Sequence, residues 1–145
     1  MFQQILVPVD GSDTALAAIG RAARLAQAFG SRVSAVYVID PYPFAGVGTD
    51  IAFAQEQYLT AAANEATAAL DAARTAAEAA GVALGTQVVE GHAIHRGIVD
   101  TAESLGADLI VIGSHGRKGL EKLVLGSVTQ SVLADATVPV LVVRD

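Results

Sequence analysis

The 145-residue sequence contains no cysteine. Disulfides, thiolate metal sites and cysteine nucleophiles are excluded. Positive charge is scarce: 9 Lys and Arg stand against 15 Asp and Glu, a formal net charge of -6. No long basic run occurs. Neutralising the phosphates of a nucleic acid takes a basic face, so nucleic-acid binding is not expected. Long apolar runs are missing too. The stretch at 109–112 is far too short to span a bilayer. The N-terminus, MFQQILVPVD, lacks the charged start and the apolar length of a signal peptide. The expectation is therefore a cytoplasmic protein with no membrane partner.

What the chain does have is apolar content. Hydrophobic residues make up 52% and charged residues 17%, enough to bury a core and to exclude disorder. The length suits one domain, residues 1–145. No internal repeat or linker is visible.

Strand-like and helix-like stretches alternate along the chain. Residues 5–9 read as a buried strand, and Asp10-Gly11-Ser12 breaks it. Ser12 or Asp13 can cap a helix whose apolar face carries Leu16, Ile19, Ala23 and Ala26, with Gly30 as its stop. Residues 33–39 form a second strand. A proline- and glycine-marked loop follows at 41–48, where Tyr42 and Phe44 either cover a ligand or cap the core. An alanine-rich stretch at 51–80 predicts one long helix ending at Gly81, with Arg74 and Glu78 paired at i,i+4. Then come a strand at 84–90, a helix at 93–105 ended by Gly106, a strand at 108–112, a glycine-rich loop, a helix at 127–134 and a strand at 138–143.

Continuous apolar strands alternating with helices are the signature of a parallel sheet covered on both faces. The expected fold is α/β: a doubly wound five-stranded parallel sheet in the order 3-2-1-4-5, with helices on both faces. Its winding reverses between strands 1 and 4, where ligands bind at the carboxyl ends of the strands.

Two loops should meet at that reversal, Val9-Asp10-Gly11-Ser12 after strand 1 and 113–127 after strand 4. The second holds Gly113, Gly116, Gly119 and Gly126, which let backbone N–H groups approach an anion closely. Gly126 and Ser127 open a helix whose N-terminus offers unpaired donors, and Ser127 and Thr129 add hydroxyls. The chain's two lysines, Lys118 and Lys122, lie in this loop beside Arg117. Such a cradle suits a triphosphate; as solvated loop charges, the same cations would instead pair with Glu121.

The spacing Gly113-x2-Gly116-x9-Gly126-Ser127 resembles the Gly-x2-Gly-x9-Gly-Ser/Thr signature of the ATP-binding branch of the universal stress protein family. The likeness extends over the whole chain: residues 5–12 resemble the family's first strand and acidic turn, 37–40 the end of its second strand, and 138–143 its closing strand. The resemblance implies ATP as ligand; magnesium, an ion that keeps its waters and uses substrate oxygens, would then be held through the phosphates. Pro8, Val9 and Asp10 would border the nucleotide, Asp10 near the ribose. Val38 would meet the adenine edge through its backbone, with Ile112 packed nearby. Gly113, Gly116, Gly126, Ser127, Val128 and Thr129 would surround the phosphates and ribose, and His115 and Arg117 would cover the phosphates. One departure is Ala93, where many members carry proline. The resemblance also implies a homodimer paired through the C-terminal strand, an apolar strand expected at a sheet edge.

Rival readings lose on their residues. A phosphotransfer receiver domain needs an aspartate ending strand 3 and a lysine after strand 5; Glu90 and Arg144 stand there. An adenylating enzyme would show paired glycines after strand 1, and a dinucleotide dehydrogenase would show Gly-x-Gly-x-x-Gly. No nucleophile–base–orienter set is visible. His115 could polarise a water, but no neighbour in sequence orients it, so no catalytic residue is assigned. Binding is favoured, as a switch or ligand-stabilised dimer, with slow ATP hydrolysis or a ligand-free interaction module as alternatives. His92 and His95 lack further ligands, so no protein metal site is expected there. ATP, ADP and AMP are not distinguished by these residues.

Overall fold

The structure is a computed structural model that describes residues 1–41, 49–116 and 124–144. Its elements run β1 (Gln4–Pro8), α1 (Asp13–Phe29), β2 (Arg32–Ile39), α2 (Thr49–Ala79), β3 (Leu84–Glu90), α3 (Ile94–Leu105), β4 (Leu109–Gly113), α4 (Ser127–Asp135) and β5 (Val140–Val143). The strands form one sheet in the order β3-β2-β1-β4-β5. Every neighbouring pair is parallel, with Ile5 opposite both Val33 and Leu109. The fold class and strand order expected from the sequence are those observed.

Side chains alternate across a strand, so each strand serves two cores. Ile5, Val7, Val33, Ala35, Leu109 and Val111 pack with α1 and α2 through Ile19, Ala22 and Leu70. Leu6, Val36, Val38, Ile110 and Ile112 face the other way, against Ile98 and Ala102 of α3 and Val132 of α4. Helices thus cover both faces.

The helix ends follow the chemistry of their caps. Ser12 caps α1 by accepting the Ala15 N–H at 3.1 Å. Gly30 and Gly106 close α1 and α3 in the left-handed region, which costs a glycine no Cβ clash. Ala93 leads into α3 with no side-chain cap. The expected Arg74–Glu78 pair does not form. Arg74 turns back to Asp71 at 3.2 Å and donates to the Thr86 hydroxyl of β3 at 2.8 Å, a contact that ties helix to strand.

At the amino ends of the strands, the Asp108 carboxylate accepts the N–H groups of Gln3 and Gln4 at 2.9 and 3.0 Å. Those bonds, the one from Gln3 first, hold its pKa below the usual 3.8; an accepted N–H favours the charged form. Near the start of α3, Gly97 lies directly on β2: a Cβ there would stand 2.6 Å from Cγ1 of Val38. No helix among the described residues is long and apolar enough to cross a membrane.

Candidate functional site

The winding reverses between β1 and β4. The chain leaves β1 toward the α1 face and leaves β4 toward α4 on the opposite face, opening a crevice at the carboxyl ends of both strands. A cavity of about 410 Å³ lies in it, within the usual range for small-molecule sites. Pro8 borders it from the end of β1, Val9 and Asp10 from the turn that follows, Val38 from β2, and Ile112 and Gly113 from β4. His115, Gly116 and Gly126 come from the following loop, and Ser127, Val128 and Thr129 from the start of α4. Twelve of the thirteen candidate residues named from the sequence therefore line one cavity. The thirteenth, Arg117, lies outside the described residues, as do Lys118, Gly119, Glu121 and Lys122, and also Tyr42 and Phe44.

The wall from Val38, Ile112 and Val128 is apolar, and two residues that the sequence reading missed extend it. Ile94 and Ile98 of α3 also line the cavity. Their i,i+4 spacing put both on one helix face, which was the signal available. The close seat at Gly97 sets α3 against β2 and brings these side chains to the crevice.

The turn after β1 and the loop after β4 are polar and tightly tied. Oδ1 of Asp10 accepts the Ser12 N–H at 2.9 Å. A side chain at position 116 would run into Asp10 Oδ2, and a Cβ at position 113 would stand 2.6 Å from Cγ2 of Thr14. The Thr129 hydroxyl donates to the Gly113 carbonyl at 2.8 Å, and the Gly126 N–H donates to the Ser114 carbonyl at 2.7 Å. The α4 cap residue, Gly126, is extended and supplies no side-chain bond, so the cap itself offers no oxygen to the first N–H groups of α4.

His115 differs from the expectation that it has no orienter. Its Nε2 lies 3.1 Å from the Thr14 hydroxyl and its Nδ1 3.1 Å from the Ser114 hydroxyl. Thr14 is 101 residues away and beyond a local reading, whereas Ser114 is the adjacent residue and was passed over. His95 meets Asp135 of α4 at 3.3 Å. Among the described residues, no group of three or more His, Asp or Glu side chains converges to hold a metal ion.

The sequence model of the universal stress protein family matches residues 1–144. The chain belongs to the universal stress protein family. Universal stress protein MJ0531 of Methanocaldococcus jannaschii is 38% identical over 144 residues, covering 99% of this chain and 83% of the relative. Among solved universal stress protein folds, that of MJ0577 from the same organism superposes with a TM-score of 0.85 at 30% identity, covering 100% and 97% of the two chains. A universal stress protein solved in complex with cAMP gives a TM-score of 0.70 at 28% identity over 99% and 97%. One from Archaeoglobus fulgidus in complex with dAMP gives 0.70 at 25% over 98% of each chain.

Proposed function

We propose that this universal stress protein binds an adenine nucleotide, ATP foremost, in the crevice between β1 and β4. The observation that carries the reading is the convergence of both sequence-named loops on one cavity of about 410 Å³ with an apolar wall and glycine-lined polar loops. The residues fit the ligand chemically. The apolar wall of Val38, Ile94, Ile98, Ile112 and Val128 suits a base. The backbone at Gly113, Gly116 and Gly126 and the start of α4 at Ser127, Val128 and Thr129 suit an anion. Asp10 offers a carboxylate to ribose hydroxyls. Two relatives of the same fold were solved with cAMP and dAMP, which supports an adenine nucleotide as the ligand class. Magnesium would be held by phosphate oxygens, consistent with an ion that keeps its waters and uses substrate oxygens.

The protein acts by binding, as a cytoplasmic switch or ligand-stabilised homodimer. β5 supports the dimer: it lies at a sheet edge with Leu141 exposed, and an apolar edge invites a second strand. Sedimentation at micromolar concentration should show the dimer; a monomer alone would count against it.

The deciding experiment is mass spectrometry of nucleotide released on denaturation, followed by ATP titration calorimetry on wild type and Gly116→Val. Wild type should release or bind an adenine nucleotide, and the folded variant should bind at least about tenfold more weakly, a difference of about 1.4 kcal/mol. No nucleotide and no binding heat in wild type would refute the reading.

A further inference from the structure

We propose that His115 is a positioning residue: its imidazole latches the glycine loop after β4 to the first turn of α1, and it does not serve as a phosphate ligand or a base. The ring stands between two hydroxyls, with Thr14 Oγ1 at Nε2 and Ser114 Oγ at Nδ1, both at 3.1 Å. A neutral imidazole has one N–H and one bare nitrogen, and a hydroxyl can donate or accept, so either tautomer satisfies both contacts. With both in-plane nitrogens engaged, neither is left to meet a phosphate oxygen or to take a proton from water.

The two hydroxyl residues are themselves fixed. Thr14 and Ser114 are each 2% exposed. Thr14 sits on α1, where its methyl lies against Gly113 so closely that a Cβ would stand 2.6 Å away. Ser114 continues β4, its N–H donating to the Val143 carbonyl at 2.8 Å and its carbonyl accepting the Gly126 N–H at 2.7 Å. The latch therefore joins α1, β4, β5 and the entrance to α4. It orders the backbone at Gly113–Gly116 before any ligand arrives. A site whose donors are already placed does not spend binding free energy on ordering them.

The affinity part of the inference rests on the nucleotide reading above; the ordering part does not. Both are tested on Thr14→Val, His115→Ala and the double variant. Thr14→Val keeps the shape and the methyl contact while removing the hydroxyl. The first readout is hydrogen exchange of the Ser114 and Gly126 amides in ligand-free protein. Exchange should quicken about fivefold to tenfold in each single variant, the equivalent of about one hydrogen bond, and no further in the double. Unchanged exchange in His115→Ala would overturn the latch whether or not nucleotide binds. The second readout is ATP affinity. Each single variant should lose about fivefold to tenfold, and the two losses should not add, because both break the same connection. His115→Gln, whose amide reaches toward the place of Nε2, should recover part of the loss by keeping Thr14. Additive losses with no recovery by glutamine would mean that His115 touches the ligand itself and would overturn the proposal. Wild type that binds no nucleotide would refute the functional reading and leave the exchange result to decide the latch.

Discussion

Two helical glycines make opposite predictions for the same substitution. Gly20 lies inside α1 and Gly97 in the first turns of α3. Replacing either with alanine gains helix propensity, at most about 1 kcal/mol. At Gly20 a Cβ meets nothing within 4 Å, so that gain stands and Gly20→Ala should stabilise by about 0.5–1 kcal/mol. At Gly97 the Cβ would lie 2.6 and 3.0 Å from the two methyls of Val38, where carbon atoms prefer about 3.5–4.0 Å. Val38 cannot yield cheaply. It is β-branched and stiff at χ1, 8% exposed, and held in β2 between β1 and β3. Overpacking of this kind costs about 1–3 kcal/mol. With so short a contact the upper part of that range applies, and after the helix gain Gly97→Ala should destabilise by about 1–2 kcal/mol. Urea unfolding tests both: the midpoint should rise for Gly20→Ala and fall for Gly97→Ala, with the same slope. Val38→Ala should cost less in the Gly97→Ala background than alone, because it relieves the clash. A Gly97→Ala protein as stable as wild type would refute the close seating of α3 on β2, and with it the account of how Ile94 and Ile98 reach the cavity.

Two further outcomes follow from the hydrogen bonds at either end of the sheet. Asp108→Asn should lower stability at neutral pH by about 1 kcal/mol. Because the folded carboxyl titrates below its ordinary 3.8, the wild-type advantage is fully present above that value and is lost as pH falls through the lowered folded pKa. Urea unfolding at pH 7 and in that acid window should show the gap close; a gap that widens in acid would contradict the assignment. Thr129→Val removes the buried donor to the Gly113 carbonyl and should cost about 1–2 kcal/mol; a variant melting with wild type would show that water replaces the hydroxyl.

The strand order and the crevice were legible because they rest on patterns local to each element. Runs such as 109–112 are apolar on both faces, which makes them central strands, and the glycine spacing marks one loop by itself. The legible part stops where partners are far apart in the chain. Thr14 meets His115 across 101 residues, and no periodicity links them. Arg74 had an acidic residue available on either side of it in the helix. Its choice of Asp71, with Thr86 as a second partner, depends on where β3 lies against α2. Ile94 and Ile98 could have been read as plain core; that they also wall a cavity depends on the missing side chain at Gly97.

The motif glycines raise a different point, because a sequence pattern does not say why glycine is required. Glycine serves either a left-handed backbone or a close approach. Among the described residues, the glycines with positive φ are Gly11, Gly30, Gly81 and Gly106, in turns and at helix ends. Gly113, Gly116 and Gly126 are not among them. Their Cβ positions are instead occupied or crowded by the protein itself: Thr14 at Gly113, the Asp10 carboxylate at Gly116, and the His115 backbone, 3.2 Å away, at Gly126. The glycines therefore act first on the protein, letting α1, the loop and α4 close around the crevice, and only through that on a ligand. The three differ in how much can give. Asp10 meets Gly116 with the end of a side chain, which can rotate. Thr14 meets Gly113 with a buried methyl and its own backbone, 3.2 Å away, which cannot. A larger residue at 116 can thus leave the fold standing while displacing the carboxylate that borders the cavity, whereas one at 113 pushes α1 off the sheet. This is why position 116 is the place to separate binding from folding.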